Sequence, residues 1–457
     1  MKTLTVKRKW FEESDLRLDA EFHLSYGPMA KRIMDNSPLN ITTLRQASER
    51  IFMGNIFKRT YVNNSEFGLP YLTASDMVKS NIDTGKYISE KYTTQKANLE
   101  IKEGWILVSR SGTLGMTVFT NKDFAGRIGT DDLIRIIPND NKIKPGFLYA
   151  YLTSKYGNAL LTQASYGGVI KHIEPHHIQD LSIPIFPEHQ QNKIHQLITQ
   201  AAELRVEANK LLQDALQFID TQFDFFTPKK IYTVNIKAIR SGDKFTQETR
   251  LEADFYQPLT DKISDQIKRN GKYDLLGNLC HTVSISNLRG RIFVSKGFVL
   301  FTGQSLGLLK PDISKQLSKK LTKNIEENTT RDGDVLVSAF GTLGKTEFCY
   351  KNFYSGVFAS QQLVRIRTDR DKIHPGYIYL FLKSRVGQLL IQKYKTGSVI
   401  EWANWNNFSS ILIPIPNDKG LQLGQQAEEI ALNFQFAYEK ENQAIQLIEN
   451  EIESWQN

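Results

Sequence analysis

The sequence predicts an α+β protein: two tandem, pseudo-twofold-related domains with twisted, mainly antiparallel sheets, separated by two long antiparallel coiled-coil helices. Three observations predict this fold class: an internal repeat, short β-branched and aromatic runs between turn residues, and two stretches with 3.5-residue apolar spacing. With 457 residues, 40% hydrophobic and 23% charged, the chain is long enough to bury two cores and its composition is not typical of disorder.

The internal repeat divides the chain into two similar halves. Residues 104–115 contain Gly-Trp-Ile-Leu-Val-Ser and then Gly-Thr-Leu-Gly, and residues 333–344 repeat this frame at an offset of 229. Two further pairs recur in the same order at an offset of 230: Pro-Gly at 145 and 375, and Ile-Pro-Ile at 183 and 413. Such self-similarity indicates two copies of one structural unit. The predicted domains are 1–187, with an N-terminal extension 1–37, and 228–416, with an extension 228–271.

Each copy is predicted to hold a sheet followed by helices. Runs rich in β-branched and aromatic residues predict strands at Leu69–Thr73, Ile106–Ser109, Leu133–Ile137, Val299–Thr302, Val335–Ser338 and Leu363–Ile366. Helical spacing follows each Pro-Gly, where proline favours a helix start. The predicted short helices lie within 147–161 and 377–391 and at Met29–Met34 and Leu259–Ile267.

The periodicity changes after each Ile-Pro-Ile and predicts two long helices, 188–227 and 417–457. Apolar residues recur at steps of three and four from Ile194 to Phe218, and again from Ala427 to Trp455 with Glu441 as the polar exception. This spacing is typical of a left-handed coiled coil, and a core-facing helix in each domain is the alternative. A rod about 36 Å long would match about one turn of duplex DNA. The predicted helix–helix interface is Leu197, Leu204, Leu211, Phe218, Phe434, Tyr438, Ile445, Ile448 and Ile452.

Positive charge is concentrated in the two predicted domains. The net charge of the chain is +9; residues 1–187 carry 24 Lys/Arg against 19 Asp/Glu, and residues 228–416 carry 29 against 16. A polyanion such as DNA suits this pattern, although many proteins of other function are equally basic. Two cysteines indicate no disulfide framework, and no run of 18 apolar residues indicates a membrane span. We therefore expect a cytoplasmic protein.

The Gly-Thr-Leu-Gly frame is the strongest local signal for binding. Glycine after a strand permits close approach of the backbone to a ligand, and a plain structural turn is the alternative. The two preceding residues differ, Arg-Ser in the first copy and Ala-Phe in the second, as two domains for different DNA sequences require. The candidate DNA-binding residues are Lys58, Arg59, Thr73, Ser75, Arg110, Ser111, Thr113, Arg127, Lys171, His172, Arg289, Arg291, Thr302, Gln304, Phe340, Thr342, Lys345, Gln361, Gln362, Lys395, Trp402 and Asn404.

No catalytic constellation, metal site or cofactor is predicted. Residues 339–346 resemble a P-loop, but Ala339 stands where that motif needs glycine, and Met116 replaces its lysine in the first copy. The histidines at 172, 176 and 177 have a tryptophan and two asparagines as counterparts 230 residues later, which favours DNA contact or loop packing over zinc.

The ordered motifs, basic domains and long helices together resemble the specificity subunit of type I restriction-modification systems. The resemblance rests on 104–115 and 333–344, the segment Leu69–Met77, the Pro-Gly helix starts and 183–187, and it covers nearly the whole chain. It implies a non-catalytic subunit in which two target-recognition domains each bind half of a bipartite DNA site. It also implies that the helices set the spacing and dock two methyltransferase subunits, with a translocating endonuclease subunit able to join.

The extensions depart from the family pattern. They contain Leu18-Asp19-Ala20-Glu21-Phe22 and Leu251-Glu252-Ala253-Asp254-Phe255-Tyr256, which leaves the assembly partner open. Three alternatives therefore remain: a recognition module of another phage-defence or fused restriction–methylation system, a duplicated nuclease or NTPase, and an adaptor whose basic surface binds protein.

Overall fold

The structure, a computed structural model, forms two compact units: unit 1 (1–206 with 436–457) and unit 2 (207–435). The described residues are 5–8, 23, 25–63, 65–163, 172–227, 231–234, 252–286, 290–397 and 399–456. The candidate residues Lys171 and Arg289, the extension motif 18–22 and Leu251 lie outside them. Each long helix spans the division, so that it contributes one half to each unit.

Unit 1 forms three sheets within its described part. A four-stranded antiparallel sheet has the order β2-β9-β6-β7, a second has the order β3-β5-β4-β8 with β4 and β8 parallel, and β1 pairs with β10. The strands are β1 Ile41–Thr43, β2 Ser48–Met53, β3 Tyr61–Val62, β4 Gly68–Leu72, β5 Tyr87–Ser89, β6 Ile106–Ser109, β7 Thr117–Phe119, β8 Ile128–Gly129, β9 Leu133–Pro138 and β10 Ser182–Pro184. The helices are α1 Gly27–Asp35, α2 Leu44–Ala47, α3 Lys96–Leu99, α4 Pro145–Thr153, α5 Lys155–Gln163, α6 Pro175–Ile178 and the start of α7 Glu188–Asp220.

Unit 2 repeats this arrangement. Its sheets have the orders β12-β18-β15-β16, β14-β13-β17 with β13 and β17 parallel, and β11-β19. The strands are β11 Tyr273–Leu275, β12 Cys280–Ser284, β13 Phe293–Phe301, β14 Gln316–Leu317, β15 Asp334–Ser338, β16 Thr346–Phe348, β17 Phe358–Ala359, β18 Leu363–Thr368 and β19 Leu412–Pro414. The helices are α8 Pro258–Arg269, α9 Ile325–Asn328, α10 Pro375–Lys383, α11 Arg385–Gln392, α12 Trp405–Phe408 and the start of α13 Asp418–Ser454. The predicted α+β class with mainly antiparallel sheets is confirmed.

The predicted helices after each Pro-Gly are in fact two helices each. Ser154 is extended between α4 and α5, and its hydroxyl donates to the Tyr151 carbonyl (2.6 Å). A Cβ on Gly157 would lie 2.0 Å from that same carbonyl oxygen, so only glycine permits this sharp turn. Ser384 and Gly387 repeat the break in unit 2. Apolar residues continue at helical spacing through the turn, so the sequence pattern gives no sign of the break.

The two long helices pair in both units. In unit 2 the Gln426 amide donates to the Leu211 carbonyl (3.0 Å), and the Lys419 ammonium lies 4.9 Å from the Phe218 ring, so the helices run antiparallel there. In unit 1 the Lys440 ammonium donates to Gln200 (2.8 Å).

The most buried face of α7 is shifted from the predicted interface. Ile198, Arg205, Leu212 and Ile219 are buried, whereas their predicted neighbours Leu197, Leu204, Leu211 and Phe218 are half-buried. On α13, Ile448 and Ile452 are buried, and Phe434, Tyr438 and Ile445 are half-buried. The shift arises because each long helix also packs on a short helix.

Each Pro-Gly motif provides that second contact. A Cβ on Gly146 would lie 3.0 Å from the Ile198 Cβ, and one on Gly376 would lie 2.5 Å from the Gly424 carbonyl oxygen. Glycine therefore lets α4 approach α7, and α10 approach α13. The stripe that α7 buries is consequently wider than a coiled-coil seam.

A buried polar cluster interrupts the apolar helix face in unit 1. Arg205 on α7 forms an ion pair with Glu441 on α13, and the Tyr149 hydroxyl of α4 donates to the same carboxylate. Burial, and then the nearby Glu441 carboxylate, raise the pKa of Tyr149 well above its ordinary value, so the hydroxyl stays protonated as a donor. The sequence marked Glu441 as polar, but its partner Arg205 was missed because it lies one residue beyond the predicted position Leu204.

Candidate nucleic-acid interface

The two Gly-Thr-Leu-Gly loops share one backbone frame. We call residues 110–116, between β6 and β7, tip loop 1, and residues 339–345, between β15 and β16, tip loop 2. The Ser109 hydroxyl donates to the Thr113 carbonyl (2.5 Å) and accepts from the Met116 amide (2.9 Å). In unit 2 the Ser338 hydroxyl donates to the Thr342 carbonyl (2.5 Å) and accepts from the Lys345 amide (2.9 Å). The terminal serine of each strand therefore fixes the loop that follows it.

The next-to-last residue of each tip loop, Gly115 or Gly344, lies too close to neighbouring side chains to carry a side chain of its own. Gly115 has a φ of 73°. A Cβ there would also lie 2.6 Å from the Thr162 side chain of α5. In contrast, Gly112 has a positive φ of 69° but open space around it. The frame thus anchors one end of the loop and leaves Thr113 and Thr342 exposed.

One ion-paired arginine lies on tip loop 1 and a second lies beside it. The Arg110 guanidinium pairs with Glu174 (3.0 Å) and Asp132 (3.6 Å), and the Ser111 hydroxyl donates to Asp132. Arg59, from the loop after β2, pairs with Asp131. Four separate segments of unit 1 therefore meet at this loop, and carboxylates balance its arginines.

Tip loop 2 has the same backbone bonds, with neutral residues at the positions of the charged cluster. The Arg110 amide donates to the Asp132 carbonyl (3.4 Å), as the Ala339 amide donates to the Gln362 carbonyl (2.8 Å). Likewise Ile173 donates to the carbonyl of Arg110 (3.1 Å), and Ala403 to that of Ala339 (3.0 Å). Alanine and glutamine thus replace Arg110 and Asp132, and Asn404 stands 230 residues after Glu174. Unit 2 therefore has an uncharged residue at each of the three positions that form this cluster in unit 1.

An aromatic pair occupies the surface of tip loop 2. The Phe340 and Trp402 rings stack with centroids 6.0 Å apart and an interplanar angle of 11°. Their exposed fractions are 39% and 38%, so both rings reach the surface and are available to a ligand. Beside them Arg291 donates to the exposed Gln361 amide (2.6 Å), at the place where Arg59 pairs with Asp131. Stacking and amide donors are suited to base edges and thymine methyl groups.

The remaining candidate residues lie around these loops or away from them. Thr73 and Ser75 bond each other (3.0 Å) after β4, and the Lys345 ammonium donates to the Gly303 carbonyl (3.3 Å) beside Thr302 and the exposed Gln304. Lys58 is exposed beside Arg59, and His172 is half-buried next to Ile173. Lys395 pairs with Glu401 and Asp254 (3.2 Å each). Arg127 is not brought to tip loop 1, since it precedes β8 and bonds the Asp123 carbonyl (2.7 Å).

Sequence reasoning missed a buried arginine that positions Asp131 and Asp132. The Arg135 guanidinium, fully buried, donates to the carbonyls of Leu133 (2.9 Å) and Gly129 (2.9 Å) at the two ends of that turn. Burial lowers the pKa of Arg135 to about 10. The signal was available, because Arg135 interrupts an apolar strand and Arg365 recurs 230 residues later.

Unit 2 contains a cavity of about 320 Å³ that is remote from tip loop 2 in sequence. Its lining includes Phe218, Phe223, Ile267, Tyr377 and Leu423. Among the residues described, no cluster of three His, Cys, Asp or Glu side chains that could hold a metal ion occurs. No helix in the described ranges combines the length and apolar character needed to cross a membrane.

A known protein family and a known relative each match most of the chain. The family model described as "Type I restriction modification DNA specificity domain" matches twice, at residues 49–217 and 260–454. The type I restriction enzyme EcoBI specificity subunit of Escherichia coli is 18% identical over 410 residues, covering 86% of this chain and 81% of that protein.

Solved structures of low identity also align along the chain. The type I restriction-modification S subunit from M. genitalium is 13% identical, with a TM-score of 0.33, and the alignment covers 92% of this chain and 96% of that one. The HsdS subunit from Thermoanaerobacter tengcongensis is 14% identical, with a TM-score of 0.28 and coverage of 90% and 95%.

Proposed function

Because the chain belongs to the family of type I restriction modification DNA specificity domains and carries two copies of that domain, we propose that it recognises a bipartite DNA site. In this proposal residues of about 38–186 bind one half-site and residues of about 272–416 bind the other. The observation that carries it is the pair of tip loops, which have the same backbone bonds and different side chains.

The side chains at each tip loop suit different base pairs. Arg59 and Arg110 offer guanidinium groups for guanine or phosphate, and the adjoining carboxylates could accept from cytosine. Gln361 and Gln362 are both exposed and offer amides of the kind that pair with adenine. We therefore propose that the two half-sites differ in sequence.

The long helices serve as spacer and as docking surface in this proposal. Helices 188–226 and 418–456 set the distance between half-sites and bind two DNA methyltransferase subunits. The methyl transfer itself takes place on those partner chains, and a translocating endonuclease subunit can join them. The EcoBI subunit, whose name places it in a type I restriction enzyme, supports such an assembly.

Methylation-sensitive sequencing of the host genome, with and without this gene, tests the proposal directly. We expect a two-part adenine motif that disappears with the gene. Exchanging residues 38–186 for those of a relative should change one half of the motif only; a change in both halves would contradict the assignment of half-sites. A purified chain that hydrolyses ATP or cuts DNA unaided would favour the rival enzyme function.

The spacer role has its own test. Insertion of one heptad into helix 188–226 should change the gap in the motif, or abolish binding, and leave the bases in both halves unchanged. An altered half-site after this insertion would show that the helix does more than set the spacing.

A further inference from the structure

The strands β13 and β14 of unit 2 and the residues around them carry a concentration of positive charge. Residues 290–323 contain seven Lys/Arg and one Asp, a net charge of +6. The corresponding residues of the first copy, 61–94, contain three Lys and four Asp/Glu, a net charge of −1. The two copies therefore differ strongly in charge along this corresponding segment.

Backbone hydrogen bonds establish which residues correspond. The Tyr71 amide donates to the Lys86 carbonyl (2.9 Å), and the Leu300 amide donates to the Lys315 carbonyl (2.8 Å). Each pair is related by the same offset of 229. Lys86 and Lys315 thus occupy the same place beside a central strand.

The residue facing this lysine differs between the units. In unit 1 the Thr73 amide donates to the Asp76 carboxylate (3.2 Å), and in unit 2 the Thr302 amide donates to the Ser305 hydroxyl (3.1 Å). Asp76 is fully buried and pairs with the ammonium groups of Lys86 (2.8 Å) and Lys79 (2.6 Å). Unit 1 therefore neutralises its lysine with a built-in carboxylate, and unit 2 has a serine instead.

Five exposed lysines form the resulting surface, which we call the lysine surface. Its members are Lys296, Lys315, Lys319, Lys320 and Lys323. The ammonium group of Lys319 lies 5.2 Å from the Phe298 ring. The other four form no ion pair with any carboxylate in the described part of the chain. Asp312 lies near enough to Lys315 to interact with it electrostatically, without an ion pair. Positive charge that no carboxylate pairs with directly favours a polyanionic ligand.

The sheet with the strand order β14-β13-β17 connects the lysine surface to the segment that contacts tip loop 2. Lys315 lies opposite Leu300 on β13, and the next residue, Phe301, accepts a hydrogen bond from the Ser360 amide (2.9 Å). Ser360 directly precedes Gln361 and Gln362, the exposed amides at tip loop 2. A duplex bound at tip loop 2 would therefore bring its flanking phosphates towards these lysines.

We propose that the lysine surface binds the phosphate backbone of duplex DNA next to the half-site of unit 2. Lysine is a point charge, which contributes affinity for phosphates without selecting bases. Unit 2 then supplies more of the sequence-independent affinity than unit 1, whose corresponding segment 61–94 has nearly balanced charges. This inference rests on the proposed DNA-binding function, and an acidic protein is the competing ligand.

Salt dependence of binding tests the inference in the full-length chain, in whatever complex it forms. The variant K315Q/K319Q/K320Q/K323Q and a control with equal charge loss, K102Q/K122Q/K142Q/K268Q, are compared by fluorescence anisotropy. The control lysines are also exposed and lie outside the lysine surface. The probes are a duplex with the methylated motif and a scrambled duplex of equal length. Each lost phosphate contact reduces the slope of log affinity against log salt by about 0.9.

We expect the slope of the lysine-surface variant to fall by about 3 to 4 on both duplexes, with the genomic methylation motif unchanged. The single variant S305D, which supplies the carboxylate that unit 1 has at Asp76, should lower it by about 1. An unchanged slope, or a loss confined to the motif duplex, would overturn the inference. Normal DNA binding together with loss of a co-purifying acidic protein would assign the surface to that protein.

The proposed function can fail separately. If the host genome carries no methylation motif that depends on this gene, sequence recognition is refuted. The lysine-surface variant would still report phosphate binding through its slope. Conversely, a dependent motif with an unaffected lysine-surface variant refutes only the further inference.

Discussion

Removing Glu441 should destabilise unit 1 strongly, because the carboxylate balances a buried arginine. Glu441 is 1% exposed and Arg205 9% exposed, and the Tyr149 hydroxyl completes the cluster. Breaking a buried ion pair by truncating one partner costs about 3–5 kcal/mol. For a unit of this size each kcal/mol lowers the melting temperature by about 2–4 °C. We therefore expect E441A to lower the melting temperature of unit 1 by roughly 6–20 °C.

A double-mutant cycle separates the pair from its surroundings. Urea unfolding followed by circular dichroism is measured for E441L, R205M and R205M/E441L, which form the cycle, and for E441A. The double variant leaves no buried charge unpaired, so its free energy of unfolding should lie within about 2 kcal/mol of the native value. The interaction is refuted if E441A costs less than about 1 kcal/mol, or if the cost of the double variant equals the sum of the single costs. As a control, E439A removes an exposed carboxylate from the same helix.

Three further changes test individual contacts. Burial alone would raise the pKa of Asp76, but hydrogen bonds from lysines hold it at about 2 in the folded protein. The carboxylate therefore stabilises the fold above pH 4 and loses that effect as the pH falls towards 2. In acid unfolding, D76N should cost about 2 kcal/mol at pH 6 and almost nothing at pH 2. G157A should cost about 2–3 kcal/mol by urea unfolding because its Cβ would meet the Tyr151 carbonyl, and more than G112A, where the space is open. R135M should lower the free energy of unfolding by about 2–4 kcal/mol and speed hydrogen exchange at Gly129, since four carbonyls lose their donor. Unchanged exchange would show that the turn before β9 keeps its structure without Arg135.

The sequence predicted the fold because its signals are local and occur twice. The strands at 106–109 and 335–338 are fully buried runs, and each Pro-Gly begins a helix as expected. The break at Ser154 was not predictable from periodicity, because apolar residues continue on both sides of it. What makes the break possible is Gly157, whose contact with the Tyr151 carbonyl exists only after the chain has turned.

The candidate site was predicted in part, for a related reason. The repeat identified both tip loops, since the glycines and the strand-ending serines fix their backbones. It did not identify the pairing of Arg110 with Glu174, because this contact joins segments far apart in sequence. It also did not identify Arg135, whose carbonyl partners Leu133 and Gly129 lie nearby in sequence but leave no mark in a residue pattern. An arginine in a strand looks like a surface residue until the carbonyls around it are known. Long-range polar contacts are thus the part that a single sequence conceals.

The shared backbone frame explains how the two tip loops could diverge in charge. Each loop is held by main-chain bonds, by the strand-ending serine and by an amide side chain of the adjacent helix, Asn158 or Gln388. The side chains at the tip of the loop therefore carry no part of the frame. Changing Arg110 alone would leave Asp132 and Glu174 facing each other without a cation, which costs free energy. Unit 2 lacks all three charges at once, and a stacked aromatic pair lies there instead. The side chains of the cluster depend on one another, whereas the backbone frame does not depend on them. We therefore expect the cluster to be replaced as a group, by substitution of several residues at once.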